Sequence, residues 1–389
     1  MCKKIISFFI ALTLIYSANI SSSSASSVSD SAKASILMIQ GSNEVIYSKN
    51  PDKKLSMAST TKIMTAVLVI ENGNLDEEIT VTDKMVRVEG TSSGLLAGDK
   101  IDLKTLLYCM MLQSGNDAAN VAAFAISGSI EKFADLMNKK AQEIGMENTH
   151  FATASGLDSD DHYSTAYDMA LLTSYALNLP LFVEICSAYT KTVSYGNPKY
   201  NRTITNHNKL LKSYEGMIGV KTGYTKKSGR CLVTAAQRNG LTLICVTLDD
   251  WSDWDDHKNL LDYGFKTAKK VELKLELKIK TDVVGSKKHS VDVKMQYEPD
   301  FFSAKKNFEY SSKIEIQHFL YAPVKKGNAV GKVTFYDKSG NEISSVPLVS
   351  SDNADLFVKT DNADNTNKGD NSSCLKRILN FFKGEKNVG

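Results

Sequence analysis

The chain has 389 residues, 42% hydrophobic and 23% charged, and its 47 Lys+Arg against 44 Asp+Glu leave a formal charge of +3. Wholesale disorder is excluded, because disordered chains combine low hydrophobicity with high net charge, and the length suits roughly two to three domains that each bury a core. A pI of about 8.3 falls short of the basic balance, above ~9, of nucleic-acid-binding domains, so no nucleic-acid partner is expected.

At the start of the chain, Lys3 and Lys4 precede an apolar run from Ile5 to Tyr16 and a small-residue stretch containing Ser23-Ser24-Ala25. That order is the pattern of a secretory signal, so residues 1–25 are read as one and the protein is expected to be exported. A retained span needs ~20 apolar residues, more than this run supplies. Losing Lys3 and Lys4 takes the formal charge from +3 to +1. No comparably long apolar run follows, so nothing else is expected to cross a membrane.

Next, Ala34 to Ile39 and Val45 to Tyr47 are short apolar runs separated by Gly41-Ser42-Asn43-Glu44, the pattern of a β-hairpin. Lys62 to Ile70 is rich in Met, Ala, Leu and Val, and Glu78 to Val81 reads as a polar strand. Helical patterns follow at Leu103–Leu112, Ala118–Ile126, Ile130–Ile144 and Thr165–Leu177, where Pro180 is expected to close the last. Strand-like runs return at Cys231–Ala236 and Leu241–Leu248. Strands at both ends of a helical middle predict one α/β domain whose sheet is completed by distant segments.

From about residue 271, Val271, Leu273, Leu275, Leu277 and Ile279 alternate with charged residues, and Val291, Val293, Met295 and Tyr297 repeat the pattern. Period-two alternation predicts strands with one wet face. Lys332–Tyr336 and Ile343–Val349, joined by Lys338-Ser339-Gly340-Asn341, predict a further hairpin, so 271–358 is expected to form a smaller, all-β C-terminal domain. Residues 359–373 have a linker composition. Beyond them Leu375, Ile378, Leu379 and Phe382 fall at i, i+3, i+4 and i+7, with Lys376, Arg377 and Lys383 off that face. A basic amphipathic helix at 374–389 on a flexible tether is expected to lie in a membrane surface. The six cysteines contain no Cys-x-x-Cys and are read as buried thiols, with a Cys231/Cys245 pairing left open by their spacing.

Three motifs carry chemistry: Ser59-Thr60-Thr61-Lys62, Ser114-Gly115-Asn116 and Lys221-Thr222-Gly223. Ser59 and Lys62, three apart at a helix start, would share a face beside free N–H groups suited to an oxyanion. Serine needs a base, and a lysine serves if it is neutral, which desolvation and a second cation such as Lys221 both favour. The Ser114 hydroxyl would pass a proton to a leaving amine, and the Asn116 amide would hold a carbonyl. Lys221 and Thr222 offer a charge and a hydroxyl to a carboxylate, and Gly223 allows a substrate backbone to approach. Taken singly, Ser59, Ser114 and Asn116 read as helix caps and Lys-Thr-Gly as a turn; the ordered trio favours the chemical reading.

In their contexts, Met57 to Thr65, Leu112 to Ala119 and Gly219 to Thr225, together with Gly156-Leu157-Asp158 and His162 to Ala166, the motifs resemble the serine-type D-Ala-D-Ala carboxypeptidases, the low-molecular-mass penicillin-binding proteins. The resemblance implies an α/β (α+β) penicillin-recognising, β-lactamase/transpeptidase-like catalytic domain over 32–270, followed by the all-β domain and the terminal helix. It implies that Ser59 is acylated, Lys62 acts as base, Ser114 relays protons and Asn116 holds the substrate amide. Lys221 and Thr222 would bind the terminal carboxylate, and the Ser59 and Tyr224 N–H groups would form the oxyanion hole beside Gly223. The implied partners are peptidoglycan stem peptides ending in D-Ala-D-Ala, β-lactam antibiotics and the membrane, at the outer face of the bacterial cytoplasmic membrane or in the wall, with no cofactor or metal. The chain departs from the pattern at Met57, where Pro is expected, at Gln40, where an acid is usual, and at Arg230, where an aromatic or apolar residue is expected.

Three other readings are weighed. A class A β-lactamase needs a Glu-x-x-Leu-Asn loop, and none lies between Asn116 and Lys221. A zinc peptidase using His162 and Asp168 lacks a convincing third ligand. An intact serine and lysine argue against a non-catalytic wall-binding module without by themselves proving turnover.

Overall fold

A computed structural model describes residues 28–358; the signal read at 1–25, the linker at 359–373 and the helix at 374–389 lie outside the described residues. The chain divides into two units, the first running to Leu273 and taking in Asp300–Glu309, the second made of Lys274–Pro299 and the chain from Tyr310 onward.

The first unit begins with the hairpin β1 (Ala34–Ile39) and β2 (Val45–Lys49), then a 3-10 turn at Ala58–Thr61 that leads into α1 (Lys62–Asn72). There follow β3 (Glu78–Thr80), the short α2 (Asp83–Val86), β4 (Lys100–Asp102), α3 (Leu103–Leu112), α4 (Asn116–Ser127) and α5 (Ile130–Ile144). After α6 (Ala166–Ala176) and α7 (Pro180–Ser187) come β5 (Thr190–Gly196), β6 (Lys199–Thr205), the one-turn α8 (Leu210–Ser213), β7 (Met217–Thr225), β8 (Gly229–Arg238), β9 (Leu241–Leu248) and α9 (Asp253–Thr267). β10 (Lys269–Glu272) pairs with β13 (Asp300–Ser303).

The main sheet has the order β2-β1-β9-β8-β7, so the N-terminal hairpin lies beside β9, the last strand of that sheet in chain order, as the strands at both ends of the sequence predict. Every residue of β1 and β9 is buried, and the sheet's period of two explains why. Ile36, Met38, Ile244 and Val246 face the large core shared with α1, α3, α4, α5 and α6, while Leu37, Ile39, Leu243 and Cys245 face a second core under α9. Helices on both faces are why these strands read as continuous apolar runs. A second sheet, β3-β4-β5-β6, packs against α3.

The sequence expectations need two adjustments, and one alternative they left open is settled. Pro180 does not merely end a helix: it is the first residue of α7, where its missing N–H costs nothing. The alternating stretch after Val271 keeps its alternation in burial, but residues 273–279 belong to no ladder. Cys231 and Cys245 are both free and buried. They lie on adjacent strands three positions out of register, Cys231 opposite Leu248 and Cys245 opposite Thr234, and in different cores.

The second unit is a six-stranded sheet in the order β14 (Tyr310–Ile316), β16 (Ala329–Asp337), β17 (Glu342–Ser350), β12 (Ser290–Met295), β11 (Lys280–Val284) and β15 (Phe319–Tyr321). The predicted hairpin is β16–β17, and the Val291/Val293 alternation lies on β12, with both valines buried. Among the described residues no single helix is long and apolar enough to cross a membrane.

Candidate active site

Ser59 lies half-buried on the 3-10 turn that feeds α1, a turn tied by Thr60, whose N–H and hydroxyl both donate to the Met57 carbonyl. Lys62 is the first residue of α1, so the pair shares one face as the spacing requires, and Lys62 Nζ lies 2.8 Å from Ser59 Oγ. The lysine is wholly buried, and its other contacts are Asn116 Oδ1 at 2.8 Å and the Ser155 carbonyl at 2.6 Å.

Those three contacts can be made by an ammonium, which would donate to all three acceptors, or by a neutral amine. A neutral amine has two N–H groups and one lone pair; the fixed acceptors on Asn116 and Ser155 take the two hydrogens, leaving the lone pair for the Ser59 hydroxyl. The Asn116 orientation is fixed from its other end, since Nδ2 donates to the Glu89 carbonyl at 2.7 Å and a flipped amide would clash electrostatically at both ends. Burial pushes the Lys62 ammonium well below its ordinary range, and the Lys221 charge pushes it further, against a smaller opposing pull from Asp117.

The Ser155 carbonyl is placed by a loop that Thr65 holds through the Ala154 carbonyl at 2.6 Å. Gly156 follows with φ +85, and a Cβ there would stand 1.9 Å from the Ala58 carbonyl oxygen, so no larger residue fits. His162 braces the same turn, its Nε2 2.8 Å from Thr61 Oγ1 while Nδ1 accepts the Ala152 N–H at 3.0 Å. Burial lowers this histidine to about 4. Asp168, at the start of α6, accepts from the Asn148 N–H and the Thr149 hydroxyl. Among the described residues no cluster of three His, Cys, Asp or Glu could hold a metal ion.

Ser114 and Gly115 join α3 to α4, with Ser114 at φ +63, a left-handed conformation that costs a non-glycine residue about 1–2 kcal/mol. Ala58, beside Ser59, is the other such residue here, at φ +48. Asp117 buries its carboxylate under a neighbouring loop, accepting the N–H groups of Ser93 and Leu95 and the Ser92 hydroxyl.

β7 is the edge strand of the main sheet and brings Lys221, Thr222, Gly223 and Tyr224 to the same place. A Cβ on Gly223 would lie 3.1 Å from Ser59 N, Met57 O and Ala58 Cβ, so glycine sets the close approach of strand and turn. Lys221 is buried, donates to the Thr222 carbonyl at 3.0 Å, and is lowered by desolvation to about 7.

A cavity of about 460 Å3 is lined by Ser59, Ser114, Thr222, Gly223 and Tyr224, joined by Thr91, His207, Arg230, Asp253 and Trp254. Arg230, the departure noted in the sequence, is opposite Tyr224 in the ladder and forks onto Asp253 at 2.5 and 3.1 Å. The structure thus gathers Ser59, Lys62 and Asn116 into one hydrogen-bonded cluster, and Ser114, Thr222, Gly223 and Tyr224 around the cavity above it. Sequence reasoning did not single out the Ser155 and Glu89 carbonyls, Asp117, His207 or Trp254. Only Asp117, directly after Ser-x-Asn, carried a readable signal.

A family model described as D-alanyl-D-alanine carboxypeptidase matches residues 21–252, and one described as the penicillin-binding protein 5 C-terminal domain matches residues 265–355. The D-alanyl-D-alanine carboxypeptidase DacF of Bacillus subtilis is 29% identical over 336 residues, covering 83% of this chain and 86% of its own. DacC of Escherichia coli is 32% identical, covering 83% and 84%. The crystal structure of penicillin binding protein 5 from Haemophilus influenzae superposes with a TM-score of 0.62 at 27% identity, covering 84% of this chain and 98% of that one.

Proposed function

The chain belongs to the D-alanyl-D-alanine carboxypeptidase family, and on that premise we propose which of its residues carry out the reaction. The protein is a serine-type D-alanyl-D-alanine carboxypeptidase that acts on peptidoglycan peptides ending in D-Ala-D-Ala and binds β-lactams.

The observation that carries the assignment of roles is the Ser59 Oγ to Lys62 Nζ distance of 2.8 Å on a lysine whose other contacts are two fixed acceptors. Ser59 gives its proton to neutral Lys62 as it attacks the carbonyl carbon of the penultimate D-Ala. The oxyanion is held by the N–H groups of Ser59 and Tyr224, and Asn116 and Gly223 position the peptide along the open edge of β7. Lys221 and Thr222 hold the terminal carboxylate. The C–N bond then breaks as the leaving D-Ala nitrogen takes a proton relayed by Ser114, leaving an acyl-enzyme that water hydrolyses. Penicillin acylates the same serine.

Fluorescent penicillin should label the purified protein at one site and leave Ser59→Ala unlabelled; equal labelling of the variant would remove Ser59 from the mechanism. Release of D-Ala from a D-Ala-D-Ala peptide, lost with the same substitution, separates the carboxypeptidase from a non-turnover binding module.

Export through residues 1–25 and attachment to the outer face of the membrane by the basic amphipathic segment 374–389 complete the reading. Their support is compositional: a short apolar run behind two lysines, and an apolar stripe among lysines and an arginine.

A further inference from the structure

The second unit carries an apolar surface at one end that its own core does not use. On the edge strand β15, Leu320 turns into the small core of Val283, Val291, Val324 and Ala354, while Phe319 and Tyr321 point outward, 50% and 72% exposed. Their rings meet at 5.5 Å, edge to face. Val284, opposite Tyr321 in the parallel β11–β15 ladder, is 50% exposed. The segment that follows β17 completes the patch: the Phe357 N–H donates to the Gly285 carbonyl at 2.7 Å, and Leu356 and Phe357 are 55% and 47% exposed.

A single exposed apolar residue means little, but a contiguous patch of aromatic and aliphatic side chains does. The loops around it carry two lysine pairs, Lys287-Lys288 and Lys325-Lys326, against Asp282, Asp352 and Asp355. Lys287 Nζ stands 5.0 Å over the Phe357 ring, Lys288 is paired with Asp352 at 3.1 Å, and the Lys326 N–H is tied to Asn353 at 2.7 Å. Aromatic rings with lysines beside them are the composition of a surface that settles at the lipid headgroup level.

The position in the chain selects the occupant. The patch ends at Phe357 and Val358, and the chain continues directly into the linker-like 359–373 and the basic amphipathic 374–389. If 374–389 rests in a bilayer, a 15-residue connection that behaves as the coil its composition suggests would have an r.m.s. span of about 20 Å, which would hold the patch near that bilayer at an effective concentration in the millimolar range. An affinity far too weak to bind alone then becomes useful. We propose that the end of the second unit formed by Phe319, Tyr321, Val284, Leu356 and Phe357 is a second membrane-contact surface, resting on the anionic lipid bilayer to which 374–389 attaches the chain. This rests on the membrane reading of 374–389, and the test separates the two.

The test uses residues 26–389 carrying Phe357→Trp, with phosphatidylglycerol vesicles and with phosphatidylcholine vesicles as the uncharged arm. Taken as a difference from the parent, which contains Trp251 and Trp254, the emission of the introduced tryptophan should shift to shorter wavelength on the anionic vesicles and be quenched by brominated acyl chains. In a second variant, Tyr321→Ser with Leu356→Ser should lower vesicle partitioning roughly tenfold with penicillin labelling unchanged, and deletion of 374–389 should abolish co-sedimentation. Co-sedimentation with the introduced tryptophan unshifted and unquenched overturns the second surface and leaves the tail attachment standing. A full chain that does not sediment overturns both. Blue-shifted emission from the introduced tryptophan without lipid overturns the proposal too, assigning the patch to the chain's own tail if deletion of 374–389 reverses the shift, or to a second copy if dilution does.

Discussion

At the scale of single residues, Lys62 and Lys221 are two buried amines whose titrations are tied together. In the proposed mechanism Lys62 must be neutral to accept the Ser59 proton, and both burial and the Lys221 charge hold it down. Lys221, lowered to about 7, is partly charged at neutral pH. The sign follows: acylation slows on the acid side as Lys62 takes a proton, and slows above about pH 7 as Lys221 loses one and releases both the carboxylate and its hold on Lys62. Lys221→Ala should therefore move the acid limb of the penicillin acylation rate to higher pH and remove the limb near 7, with a fall of roughly a hundredfold at pH 7. An acid limb that stays in place in a pH-rate series would show that Lys221 acts only as a carboxylate binder. The residues of this pair were readable because side-chain chemistry has a letter and a spacing. The two carbonyls behind them, Ser155 on Lys62 and Glu89 on Asn116, were not, because they are backbone atoms that any residue at those positions would supply.

At the scale of elements, legibility depended on whether one local rule acted alone. α3 and α5 have the predicted limits because each begins at a side-chain cap, Asp102 on Thr105 N–H and Ser129 on Lys132 N–H, and α5 ends at the left-handed Gly145. α7 was hidden because Pro both stops one helix and starts another, and only the surrounding packing decides. The stretch 273–279 shows the converse: alternation reports which side is wet, whereas a ladder also needs a partner strand in register. α9 lies close on the sheet for a reason written in one residue, Gly264, where a Cβ would come 2.6 Å from Leu243 Cδ1 and 2.8 Å from Leu37 Cδ2. Gly264→Ala should gain up to about 1 kcal/mol of helix propensity and lose about 1–3 kcal/mol to overpacking in that core. The net expectation is a lower urea midpoint with full penicillin labelling in the absence of urea. A raised midpoint would mean that the two leucines can turn aside.

At the scale of the whole molecule, acid stability is set by groups buried without charge. His257, on α9, reaches both β8 and β9, with Nδ1 2.7 Å from Thr234 Oγ1 and Nε2 3.0 Å from Thr247 Oγ1, and burial lowers it to about 3. His162 is lowered to about 4. Both bind a proton in the unfolded chain near pH 6.5 and refuse it in the folded one, so stability is fully present above that pH and falls as pH drops toward 4. Each contributes a slope of about 1.4 kcal/mol per pH unit. Asp250 opposes one of them: burial, with the Asp256 charge adding to it, pushes this carboxyl up to about 6, so the folded chain gains a proton the unfolded chain lacks. Asp168 and Asp253, also raised by burial, offset a further part at the acid end. Absolute stability therefore mixes several groups, and the difference between two chains isolates one. His257→Gln is expected to be less stable at pH 7, because Thr234 and Thr247 lose a well-placed partner, yet its stability should fall between pH 6 and 4 less steeply than the parent's by about 1.4 kcal/mol per unit. Urea unfolding followed by tryptophan fluorescence reads this directly, since Trp251 and Trp254 both belong to the unit that contains His257. Parallel pH profiles for the two proteins would mean that His257 is protonated in the folded chain, with both ring N–H groups donating, one to each threonine hydroxyl.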